Sequence, residues 1–86
     1  MTAADEIRDA YRSLSGTPGE YVSLVDVRAA LMYLDREEVD AGLRELMAAP
    51  DVRLEPEPFG HRIGPNEQWA AIRVAGEDLH LIAIGD

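Results

Sequence analysis

Serine, histidine and carboxylate side chains could do chemistry in this sequence, and their spacing limits what kind. The serines are Ser13, Ser15 and Ser23. A hydroxyl nucleophile needs a general base within hydrogen-bond reach. Neither His61 nor His80 is near a serine in sequence, and all three serines fall where helix ends or caps are expected. Glu37–Glu38 and Glu77–Asp78 are adjacent carboxylates. Neighbouring helical residues diverge by roughly 100°, so Glu37 and Glu38 cannot share a proton across one site. The chain has no cysteine. It also lacks a glycine-rich phosphate loop and metal-ligand spacing. His80 alternates with Ile82 and Ile84, the pattern of a packed strand histidine. His61, between Gly60 and Arg62, reads as an exposed loop residue. No catalytic, cofactor or metal site is therefore expected.

Recognition chemistry is better represented. Phe59 and Trp69, the single phenylalanine and tryptophan, flank an irregular segment that also holds Arg62, with Arg73 just beyond. The aromatics either close a small core or form an interaction anchor, since aromatics and arginines dominate binding hot spots. A second cluster lies upstream. Residues 35–51 carry six acids, among them Glu37 and Asp40, and only two arginines, Arg36 and Arg44.

The net charge of −9 is large for 86 residues, and all eight basic residues are arginine. Residues 1–51 hold 11 acids and 5 arginines, so the excess is not confined to one tail. Such a chain repels nucleic acid and anionic membranes at long range. The charge serves solubility in the plainer reading, and a cationic partner in the sharper one. The start "MTAADEIRD" has neither the basic nor the apolar region of a signal peptide. The aliphatic run "LIAI" is too short to span a bilayer. These features, with the lack of cysteine, suggest the cytoplasm.

The elements that must position these residues can be read from periodicity. Residues 1–86 make one domain. A first helix is expected over Ala3 to Ser15, capped by Thr2 with Asp5, presenting Ile7, Ala10, Tyr11 and Leu14 on one face. Gly16 is the expected residue just past its end, and "TPGE" reads as a turn. After the short extended piece "YVS", Ser23 caps a second helix over Leu24 to Leu34, with its stripe at Leu24, Val27, Leu31 and Leu34. The third helix runs from its cap Asp35 to Ala49. It has a capping box to Glu38 and a Leu34/Val39 staple. Its buried stripe is Val39, Leu43, Leu46 and Met47, with Gly42 beside it for close packing. "VRLEPEP" alternates as an edge strand, because its prolines cannot donate to a ladder. From Pro65, "PNEQWAAIRVAG" reads as a short helix with Trp69 and Ile72 on one face. The alternative is a hairpin of "WAAIRV" against "LHLIAI", turning at "AGED". "DLHLIAIG", apolar on both faces, is expected to be central or well covered.

The order helix, short strand, helix, helix, strand, variable segment, strand resembles the winged helix-turn-helix superfamily. The match is best over "YVSLVDVRAALMYLDREEVDAGLRELMAAPDVRLEPEP". The implied fold is α+β: three helices plus a small antiparallel sheet with a wing, and a short extra helix near 65–75 as an option. The resemblance implies that Asp35 to Ala49 is the recognition-type helix. With Val39, Leu43 and Leu46 inward, its outer face holds Glu37, Ala41, Arg44, Glu45 and Ala48. A groove-reading helix offers Arg, Lys, Asn or Gln to bases and needs positive neighbours to displace counterions. One arginine among carboxylates does not meet that need. Arg28, Arg53 and Arg62 could form a basic edge elsewhere.

The sequence thus points to a non-enzymatic acidic winged-helix interaction module, an adaptor or regulator of a larger assembly. Its partner is expected to be a protein, contacted through Phe59, Arg62 and Trp69 or through Glu37, Asp40 and Arg44. DNA binding by the isolated chain is not expected. The alternatives are a DNA-binding transcriptional regulator and an acidic mimic that occupies another protein's nucleic-acid site.

Overall fold

Thr2 starts the first helix, α1 (Ala3–Leu14), as its sequence anticipates. In the computed structural model, which describes residues 1–85, the Asp5 N–H donates to Thr2 Oγ1 at 3.2 Å and the Thr2 N–H donates back to the Asp5 carboxylate at 3.1 Å. These reciprocal bonds satisfy two of the helix's free amides. Ala4, Ile7, Ala10 and Tyr11 form the buried face, while Leu14 stays partly exposed. Gly16 does not take the positive φ expected of a helix-ending glycine. Ser15 closes the helix in an extended conformation, and the Glu20 carboxylate accepts from the Gly16 N–H. The positive φ falls at Gly19 (85°), where Thr17–Glu20 closes as a turn with Pro18 and Gly19 at its centre. That order of proline then glycine is what a type II turn requires.

β1 (Val22–Ser23) leads into α2 (Leu24–Ala30), and Ser23 Oγ accepts from the Val25 N–H at 3.1 Å. The helix stops four residues short of the expected Leu34, and residues 31–34 form a turn. α3 (Arg36–Leu46) likewise stops before the expected Ala49. Its start lies where Asp35 and Glu38 place it, but the box is half made. The Asp35 N–H donates to Glu38 Oε1 at 3.4 Å, while the Asp35 side chain makes no cap hydrogen bond. Gly42 faces α1. A β-carbon there would sit 2.8 Å from Ile7 Cδ1 and 3.1 Å from the Ala4 nitrogen, so the bare backbone permits the helices' close approach. Arg8 and Asp51 form a two-bond ion pair (2.7 and 3.1 Å) that ties α1 to the chain after α3. The Arg8 bonds hold Asp51 below the ordinary carboxylate value.

β2 (Val52–Glu55) and β5 (Leu81–Ile84) complete a three-stranded antiparallel sheet in the order β1-β5-β2. β2 is an edge strand and β5 is central, both as its pattern anticipates. Val52 pairs with Ile84 and Leu54 with Ile82, while Val22 meets Ile82 from the other side. Between β2 and β5 the chain makes a 3-10 turn (Gly60–Arg62), α4 (Pro65–Ala70), β3 (Ile72–Val74) and β4 (Glu77–Leu79). The helix and the hairpin posed as rivals for this stretch occur one after the other, each in part: the returning strand of the hairpin is Glu77–Leu79 and not the expected LHLIAI, whose Leu81–Ile84 pairs with β1 and β2. The helix ends at Ala70, and the hairpin turns at Ala75 (φ 52°) and Gly76 (φ 81°). Consecutive positive φ values are the mark of a type I′ hairpin turn, whose twist matches its strands. The expected strand through His80 is split: β4 pairs with β3, and β5 pairs with β1 and β2. The whole is an α+β fold of four helices, a small sheet and a hairpin, around a mainly aliphatic core that includes Ile7, Leu24, Val27, Leu43 and Ile82.

Candidate interaction surface

Arg28 lies at the i+4 position from Leu24 and between Val27 and Leu31, on the apolar stripe of α2. It is accordingly buried, with only 5% of its surface exposed. It is therefore not part of a basic edge. A buried guanidinium must find acceptors, and two come from outside α2. Nε donates to the Ala70 carbonyl at 2.7 Å, and Nη2 donates to Asp40 Oδ1 at 2.6 Å. Nη1 is buried and has no hydrogen-bond partner. Burial pulls Arg28 below its ordinary value, against the Asp40 hydrogen bond and charge, while the charge of Arg36 adds to the lowering.

Arg36 joins the same cluster from the first turn of α3. Its Nη2 donates to the Ala71 carbonyl at 3.3 Å, and its Nε lies 3.9 Å from Asp40 Oδ2. The two arginines thus satisfy carbonyls at the C-terminal end of α4, where a helix has free acceptors and a partial negative charge. They give partners to carbonyls left free where α4 stops at Ala70 and Ala71 turns to an extended conformation. At its start Pro65 occupies the first turn and the Gly64 N–H donates to Glu67 Oε1 at 2.9 Å.

Trp69 sits beside this cluster and faces outward. Ala70 is buried, and its neighbour in a helix points about 100° away. Trp69 is 62% exposed, and the Arg36 guanidinium lies 4.8 Å from the centre of its ring. Met32, in the turn between α2 and α3, is 84% exposed. Between them opens a pocket of about 220 Å³, walled by Leu31, Met32, Leu34, Val39 and Trp69 together with Arg28 and Arg36.

The other expected contact residues are distributed differently. Phe59, 51% exposed, packs under Arg62, whose guanidinium is 4.8 Å from the ring centre. The His61 ring is 5.9 Å away. Arg62 also lies 3.8 Å from Glu57 Oε1. Phe59 and Trp69 do not pair with each other, and neither closes the core. Asp40 is not a free carboxylate for a partner, because it is committed to Arg28 and Arg36. Glu37, Ala41, Arg44, Glu45 and Ala48 are all exposed; the first four form the outer face of α3, and Ala48 lies past its end. Arg44 reaches across to the Arg73 carbonyl at 3.3 Å. His80 is a packed histidine: its Nδ1 accepts from the Glu57 N–H at 3.0 Å, and its backbone bonds to Glu55 and Leu24.

Arg28, Arg36 and Met32 were missed as site residues. The spacing Leu24, Val27, Arg28, Leu31 carried a signal for Arg28, since an arginine on an apolar stripe must be buried with a partner. Nothing local marked Arg36 or Met32, whose roles depend on where α4 docks. Among the described residues, no three His, Cys, Asp or Glu side chains gather as a metal cluster. No helix there is long and apolar enough to cross a membrane. No protein-family model, curated protein or solved structure matches this chain.

Proposed function

We propose that this chain is a winged-helix-like protein-interaction module that works without catalysis, as a cytoplasmic adaptor or regulator of a larger assembly. The element order and the place of β5 between β1 and β2 support the winged-helix part of the reading. The excursion from 56 to 80 then stands where a wing would be. The observation that carries the interaction part is the pocket rimmed by Trp69, Met32 and Arg36. Of the five aromatic residues only Tyr11 is buried. A large aromatic and a methionine left in water beside a ready cavity are typical of surfaces that bind.

DNA reading is disfavoured by the outer face of α3, where Glu37 and Glu45 accompany the single Arg44. The net charge of −9 favours approach to a cationic protein surface at long range. The experiment is site-specific photo-crosslinking in cells of the native host. A photoreactive residue at Met32 should give a discrete protein adduct that Trp69→Ala removes, and one at Ala48, exposed just past the end of α3, should not. An adduct from Ala48 alone, or salt-sensitive duplex binding that disappears in Arg44→Ala, would overturn the proposal.

A further inference from the structure

We infer that the pocket between α2, the following turn and α4 receives an acidic segment of a partner protein, an aliphatic side chain filling the cavity and a neighbouring Asp or Glu carboxylate pairing with Arg36 and Arg28. This rests on the interaction-module reading and names the chemistry of the partner. Four observations lead to it. The first is Arg28 Nη1, enclosed on a side chain that is 95% buried, with its donors unmet. Buried donors without acceptors are costly and uncommon in folded proteins, and an entering carboxylate supplies an acceptor. The second is local charge. Two guanidiniums surround one carboxylate, Asp40, so the cluster is positive on a chain that is otherwise strongly acidic.

The third observation is the cavity wall, in which Leu31, Met32, Leu34, Val39 and Trp69 are apolar. The fourth is size. About 220 Å³ is below the roughly 300 Å³ at which pockets for drug-sized molecules begin, so it suits one side chain of a larger partner. Arg36, on the accessible rim, meets the carboxylate first. Arg28 lines the same pocket behind it, and Met32, 84% exposed, stands on the rim. The sign of the contact is opposite to the charge of the chain as a whole. The two coexist because long-range fields are screened within about 8 Å at physiological salt, whereas a desolvated contact is not.

Trp69 is the only tryptophan and lines the pocket, so its own fluorescence reports occupancy. The probe is an end-blocked peptide, Ser-Gly-Leu-Glu-Gly-Ser, titrated at physiological salt against versions with Gln for Glu and Ala for Leu. Blocking the ends removes the terminal carboxylate as a source. The expected result is a saturable blue shift with the Leu-Glu peptide and binding about tenfold weaker with either replacement, the scale of one charge-assisted contact. Arg36→Gln and Met32→Ser should weaken binding by several-fold while the fold stays intact. They carry the test because replacing the buried Arg28 endangers folding. Equal binding of the Glu and Gln peptides overturns the inference, as does the absence of a shift with any peptide at about 1 mM. Either result leaves crosslinking from Met32 untouched, so failure of the partner chemistry is distinguishable from failure of the module reading.

Discussion

Replacing Gly42 by alanine tests the packing on which the positions of α3 and the pocket depend. In an exposed helix the change stabilises by about 0.8–1 kcal/mol, because glycine is the poorer helix former. Here the new methyl would meet Ile7 Cδ1 at 2.8 Å, the Ala4 nitrogen at 3.1 Å and the Ala3 carbonyl carbon at 3.2 Å. Ordinary contacts between carbons lie near 3.5–4.0 Å. The Ile7 side chain is fully buried and has little room to turn, and the other two atoms are backbone. α1 must therefore move outward, at the roughly 1–3 kcal/mol usual for an overpacked core. Offset by the propensity gain of about 1 kcal/mol, the net expectation is a loss of up to about 2 kcal/mol, or a melting temperature lower by up to roughly 15 °C for a domain of this size. Thermal unfolding followed by far-UV circular dichroism measures it, with the exposed neighbour Ala41→Gly as the propensity control. Ile7→Val removes the atom in closest conflict, so the double variant should lose less than the sum of the singles. A melting temperature raised by Gly42→Ala would refute the close approach of α1 to α3.

Asp40→Ala should cost about 3 kcal/mol in denaturant unfolding, because it strands the buried Arg28 guanidinium, whereas Glu37→Ala on the exposed face should change stability by less than about 0.5 kcal/mol. Ala75→Asn should stabilise by about 1 kcal/mol, since alanine is strained at φ 52° and asparagine is a preferred type I′ residue; an unchanged melting temperature would argue against that turn. Asp51→Asn should destabilise at neutral pH, with the difference from the parent chain disappearing in acid. The Arg8 bonds depress Asp51 in the folded state, so its contribution is present above the ordinary value of 3.8 and is lost as pH falls through the lower folded value. Asp35→Ala should cost only about 0.5 kcal/mol, the scale of a charge near a helix start, because its side chain makes no cap bond.

What was legible in the sequence is what local chemistry decides. Thr2/Asp5, Ser23 and Asp35 mark where three helices begin, because an N-terminal amide is satisfied by a side chain within a few residues. The stripe Val39, Leu43, Leu46 and the alternation Val52, Leu54 state which face is inward before any partner is known, although Met47, expected on the same stripe, is exposed because α3 ends before it. The edge place of β2 follows from Pro56 and Pro58, and the central place of β5 from its unbroken apolar run. Helix ends were less legible. α2 and α3 stop early without a proline or glycine at the boundary, so tertiary packing decides. The 65–79 region reads as a choice between helix and hairpin because Trp69 and Ile72 have a helical spacing while Ile72 and Val74 have a strand's. At its division, Arg28 and Arg36 reach the last carbonyls of α4 from α2 and α3, distant in sequence. For the same reason the pocket was invisible: it forms only where Trp69, distant in sequence, is set against residues 28–39.

Arg28 shows most clearly how structural and binding demands meet in this fold. A leucine at its place would continue the α2 stripe and bury cleanly, and exchanging buried ionic groups for apolar ones is often neutral or stabilising. It would also leave the Ala70 carbonyl and Asp40 without their donor. Arginine satisfies both and still has Nη1 to spare. A helix cap alone needs one donor, and an ion pair alone needs one more. The two N–H groups of Nη1, on a side chain that lines the cavity with Trp69 and Arg36, make neither of these bonds. A partner carboxylate there supplies an acceptor beside the two bonds that position the side chain. This also explains why Trp69 can be left in water: Arg36 covers one side of its ring, and the occupied pocket would cover more.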